Sequence, residues 1–155
     1  MKLFDAVVQL RHARAAHKAW VARAEGLVAG LPLEKEQVPL LPTDCQFGKW
    51  YDGSAQSLRK LPAYQQLEKP HDQLHRVYMQ IFKLLYDEPD VSGWARFLGQ
   101  GKKVKAENLK KAEELLKPLR HCSDEVCALL ERLEEQVALL IRQQQVDQSV
   151  ITKQF

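Results

Sequence analysis

A chain of 155 residues is long enough to bury one proper core and too short for two domains of ordinary size. With 45 % hydrophobic residues and only 7 Gly and 7 Pro, it reads as globular and all-α rather than disordered. Its 23 basic and 20 acidic residues nearly cancel to a net charge of +3, which leaves no electrostatic footprint for a nucleic-acid partner.

Met1-Lys2-Leu3-Phe4-Asp5 opens no apolar signal region, and no stretch approaches the roughly eighteen apolar residues of a membrane span, so the expectation is a cytoplasmic chain without membrane insertion. Cys45, Cys122 and Cys127 are an odd, sparse set. They suit a reducing compartment better than a disulfide framework.

From Leu3 to Val28 the apolar residues Leu3, Val7, Leu10, Ala13, Trp20, Ala24 and Leu27 recur at three- and four-residue steps, which predicts an amphipathic helix. His17 continues that stripe and should point inward. Gly30-Leu31-Pro32 should end the helix. Residues 31 to 44, with Pro32, Pro39 and Pro42, read as a loop that delivers Cys45 to the bundle. Thr43 or Asp44 is the expected cap of a short helix from Cys45 to about Tyr51, stopped by Asp52-Gly53. A cysteine so near a helix N-terminus should favour its thiolate.

One helical segment is expected to start near Pro62 and a second at Pro70, since proline is tolerated in a first turn. From there His71, Leu74, His75, Tyr78, Ile81, Phe82 and Leu85 form an apolar face as far as Tyr86, broken by Asp87-Glu88-Pro89-Asp90. A short aromatic piece with Trp94 and Phe97 should close at Gly99-Gln100-Gly101. The run around Lys102, Lys103 and Lys105 reads as a solvated linker or helix start. Beyond it, Ala112, Leu115, Leu119, Val126, Leu129, Leu133, Val137 and Leu140 keep a near-heptad spacing that Pro118 should kink or split. The expected architecture is a single-domain helical bundle of about four to five helices. Residues 1–90 form its core, 91–145 complete the bundle or a dimer interface, and 146–155 make a frayed tail.

Three imidazoles and one thiolate are a tetrahedral ligand set for zinc, and His17, Cys45, His71 and His75 supply it. His71 and His75 stand one turn apart and share a face. Four protein ligands close the shell as in a structural site. Asp72 stands where a metalloprotease helix needs Glu, and Cys45 is an odd neighbour for a di-iron carboxylate bundle, so neither enzyme type is expected. Trp20, Phe47 and Trp50 would wall the site with apolar surface, and Gly48 would let a neighbouring helix come close. Cys122 and Cys127 lie about 140° apart on a helix, so with His121 they make a poor second site and read as small buried hydrophobes.

The three elements His17-Lys18-Ala19-Trp20, Cys45-Gln46-Phe47-Gly48-Lys49-Trp50 and His71 with His75, in that order, resemble the chemoreceptor zinc-binding domain family (CZB) of bacteria over roughly residues 10 to 90. The resemblance implies a cytoplasmic regulatory domain that binds Zn2+ tightly, of the kind fused to chemoreceptors, diguanylate cyclases or chemotaxis coupling modules. It further implies sensing of zinc or of oxidants such as hypochlorous acid, with zinc-bound Cys45 as the redox-reactive group. No output domain is attached within the 155 residues, so the expectation is a stand-alone sensor or adaptor, a homodimer, and no enzyme. The partner would be a chemoreceptor, another chemotaxis protein or a diguanylate cyclase. The alternative is a structural interaction module in which zinc only staples the bundle.

Overall fold

The first apolar stripe forms α1 (Leu3–Val28) in the computed structural model, which describes residues 3–152. Its face of Leu10, Ala13, His17, Trp20 and Ala24 is buried. Gly30 ends the helix with φ = +76°, and the amides of Gly30 and Leu31 return to the carbonyls of Leu27 and Gly26 at 3.1 and 2.9 Å. Glycine meets that left-handed geometry without steric cost.

The proline-rich crossover contains two single 3-10 turns, Lys35–Gln37 and Pro42–Asp44, and leads into the short helix α2 (Gln46–Asp52). Neither Thr43 nor Asp44 caps α2: both belong to or adjoin the preceding turn, and Cys45 itself is the N-cap residue. A further 3-10 turn, Ser54–Leu58, connects to α3 (Pro62–Tyr86). Pro70 does not start a new helix but lies inside α3. Its ring deprives the Gln66 carbonyl of a partner, yet Gln66 is exposed and water can serve it. Leu67 and Leu74 on either side are fully buried, each contributing roughly 1.5–3 kcal/mol, which offsets the ~3 kcal/mol that an interior proline costs.

Ser92 caps the five-residue α4 (Gly93–Phe97), its hydroxyl accepting from the Ala95 amide at 3.2 Å, and Gly99 turns the chain with φ = +80°. The last helix, α5 (Gln100–Thr152), runs unbroken for 53 residues. Pro118 does not split it, because Pro118 and the Glu114 carbonyl it frees are both on the exposed side. The expected frayed tail falls on α5 as far as Thr152, and 153–155 lie outside the described residues.

All described residues fall in helices, turns or loops, with five α-helices among them. The axis of the bundle is α5. Ion pairs Arg11–Glu134 (2.6 Å), Arg14–Glu131 (3.6 Å) and Arg120–Glu25 (2.6 Å) descend one helix as they climb the other, so α1 and α5 are antiparallel. These pairs are exposed and fix register more than stability. The Ala63 amide donates to Gln136 Oε1 at 3.2 Å at one end of α3, and Lys105 reaches Glu88 at 3.8 Å just past the other, so α3 is antiparallel to α5 as well. Hence α1 and α3 run parallel, and the crossover between them carries α2 to their shared side. No helix of the described residues is long and apolar enough to cross a membrane.

Candidate metal centre

Cys45 leaves the Pro42–Asp44 turn in an extended conformation, and its sulfur accepts the Gly48 amide at 3.2 Å as the cap of α2. The thiol donates to the Pro42 carbonyl, also at 3.2 Å. Gly48 is required by this arrangement, since a Cβ there would stand 1.8 Å from the Pro42 oxygen. What comes close to Gly48 is thus the loop backbone and not a neighbouring helix.

One turn of α3 separates His71 from His75, whose rings meet edge to face at 4.8 Å. His71 Nε2 is 3.3 Å from Cys45 Sγ. His75 Nδ1 donates to the Leu40 carbonyl at 2.8 Å; a carbonyl only accepts, so the proton is on Nδ1 and Nε2 keeps its lone pair. That Nε2 is buried without a hydrogen-bond partner. An orphaned imidazole lone pair inside a core is costly unless something electrophilic meets it. Ligating atoms of Cys45, His71 and His75, all three residues buried, lie within 4.8 Å of one another. Between them is a cavity of about 10 Å³, ion-sized, lined also by His17, Trp20 and Phe47.

His17 is buried at this cavity but stands outside the three-residue cluster, with Nε2 3.1 Å from Ser123 Oγ on α5. Trp20 covers His75 at 4.7 Å between ring centres and donates its indole N–H to the Pro39 carbonyl at 3.2 Å. Phe47 packs edge-on against His71 at 4.5 Å and reaches His17 at 5.8 Å. Trp50 is one layer further out, 5.6 Å from Phe47. Of the other cysteines, Cys122 is buried, Cys127 half-buried, and both are reduced; His121 is exposed beside Glu125. No second metal-binding group occurs among the described residues.

Residues 17–82 match the chemoreceptor zinc-binding domain (CZB) family. No curated protein and no solved structure matches the chain. The CZB match begins at His17, ends within α3, and so contains α2 and both α3 histidines while excluding α5. Zinc is the ion of CZB domains, and the soft sulfur and imidazole donors of Cys45, His71 and His75 are able to hold it. When bound, zinc supplies the charge that keeps a coordinating thiol deprotonated.

That charge is needed here. The helix N-terminus and the Gly48 amide favour a Cys45 thiolate, but burial works against them and prevails, pushing the thiol above its usual range. Burial likewise lowers His17 to about 4 and His71 to about 3, with neighbouring histidines adding to both shifts, and it lowers His75. The main chain of Ser123 partly offsets the shift at His17. All three rings are therefore neutral at pH 7, as ligands must be. In the unfolded chain they protonate near 6.5, so below that pH the unfolded state takes up protons that His17 refuses until about pH 4 and His71 until about pH 3 in the native state. Stability of the metal-free protein should accordingly fall as pH drops from 7 to 4, His17 and His71 each contributing up to about 1.4 kcal/mol per pH unit and His75 acting in the same direction. Urea midpoints that stay level across that window would contradict it.

Sequence reasoning reached the four candidate ligands by residue type. It missed the carbonyls of Pro39, Leu40 and Pro42 that orient Trp20, His75 and Cys45, because a backbone acceptor has no residue-type signature. It also missed Ser123, 106 positions from His17 and without any local motif.

Proposed function

We propose that this chain is a regulatory zinc module in which His17, Cys45, His71 and His75 are the ligands and Cys45 is the redox-reactive one. The carrying observation is the partnerless His75 Nε2 facing a buried thiol and a second imidazole across an ion-sized cavity. Trp20 and Phe47 give that cavity its apolar walls, Gly48 lets the Pro42 backbone close against α2, and Trp50 supports Phe47 from behind. The three histidines stand on helices of 25 and 26 residues, whereas Cys45 caps a helix of seven. Of the four, Cys45 is the ligand that can leave without unfolding a long helix. Hypochlorous acid would oxidise its thiolate by two electrons, forming an S–O bond and releasing chloride, and the resulting sulfenic acid is a poorer zinc donor. Release of α2 is then the signal.

In this reading residues 1–90 are the sensing core and 91–145 complete the bundle and offer a homodimer face, where Leu139 and Leu140 are exposed. The setting is cytoplasmic, and the recipient of the signal is a chemoreceptor, a chemotaxis protein or a diguanylate cyclase. Complete burial of the site favours the second reading, a structural module in which zinc only staples the bundle. One titration separates them: hypochlorous acid is added to the zinc-loaded protein while zinc release, circular dichroism and light scattering are followed. Reversible release with most helix retained is the expected result, in a particle of twice the chain mass. Global unfolding at the point of release would leave the staple, and a purified protein without zinc would remove both readings.

A further inference from the structure

The buried polar residues of the described chain are His17, His71, His75 and Ser123, so the serine is the one member that is not a site histidine. A serine within a helix ordinarily faces solvent or bonds back to its own backbone. Ser123 instead turns its hydroxyl to His17 Nε2 at 3.1 Å, from α5 into the wall of the metal cavity. His75 shows what such a bond does at this centre: one ring nitrogen is tied to a fixed acceptor, and the other is left bare toward the cavity.

We propose that Ser123 is the positioning residue for His17, accepting the Nε2 proton and so presenting Nδ1 as the nitrogen that meets zinc. The inference rests on the reading of His17 as a ligand. The direction of the bond follows from that reading. A ring that ligates through one nitrogen carries its proton on the other, and Ser123 Oγ faces Nε2, so Nε2–H donates and the hydroxyl accepts. The two histidines thus use opposite nitrogens, His75 through Nε2 and His17 through Nδ1, each with its tautomer fixed by its partner. A consequence is that α5, which lies outside the residues matched to the zinc-binding family, touches a zinc ligand through one hydroxyl.

The test is competition between a chromogenic chelator and the zinc-loaded full chain. Ser123→Ala should weaken zinc about 10- to 100-fold, the usual effect of removing a group that orients a metal-bound histidine, and Ser123→Thr should restore most of it. Placed on a His17→Ala background, Ser123→Ala should produce no further loss. A loss that persists on that background marks a merely structural serine, and tighter zinc in Ser123→Ala marks a competitor for His17; either overturns the proposal. If His17→Ala leaves zinc affinity unchanged, the ligand reading of His17 fails. If His17→Ala weakens zinc while Ser123→Ala does not, only the role of Ser123 fails.

Discussion

Gly48→Ala is expected to lose stability and zinc together. The added carbon would lie 1.8 Å from the Pro42 oxygen and 2.8 Å from the Pro42 carbon, and neither is the flexible end of a side chain that could swing aside. Either α2 tilts away from the loop or the loop retreats. Both movements break the two contacts that aim Cys45, its bond to Pro42 and its bond from the Gly48 amide. Overpacking of this kind costs roughly 1–3 kcal/mol, and a backbone collision belongs at the upper end. Gly93→Ala is the control, since a carbon there meets nothing within 4 Å. Thermal melts of both variants with and without zinc check the expectation, and a Gly48→Ala protein that melts like the parent would refute the close approach.

Cys45→Ala should separate the two properties that Gly48→Ala loses together. Structural zinc is held by roughly 10–16 kcal/mol in small sites, so under the proposed set of four ligands each carries about 3 kcal/mol, or about two orders of magnitude in Kd. The metal-free fold loses only a small buried thiol and the cap of a seven-residue helix, about 1 kcal/mol. The apolar faces of α1, α3 and α5 still drive packing. A chelator titration should therefore show zinc about a hundredfold weaker while far-ultraviolet circular dichroism changes little. Parental affinity in Cys45→Ala would remove the thiolate from the site.

The ends of α1 and α3 were legible because several local signals agree at each: an apolar stripe that stops, a glycine that can turn left-handed at Gly30, an acidic and proline-bearing break after Tyr86. Pro70, and Pro118 as a point of splitting, misled for the opposite reason. Each is a strong local signal that burial elsewhere on the same helix outweighs, and whether the freed carbonyl faces water depends on the tertiary arrangement. Cys45 was legible as a candidate ligand by type, but not as the cap of its own helix, and its expected thiolate character gave way to burial that local sequence does not report. Of the site, the candidate donors could be read and their supports could not.

Those supports share a property. Trp20, His75 and Cys45 each give a proton to a peptide carbonyl, of Pro39, Leu40 and Pro42 in turn, within a stretch of four residues. A helix or strand would have spent those oxygens on its own ladder. Prolines at 39 and 42 donate nothing themselves and limit the stretch to the single 3-10 turn that begins at Pro42, so the carbonyls of Pro39, Leu40 and Pro42 stay open to the interior. The template that sets three side-chain directions is written in main chain, as a matter of spacing and path, and the side chains of the crossover are left free of that duty.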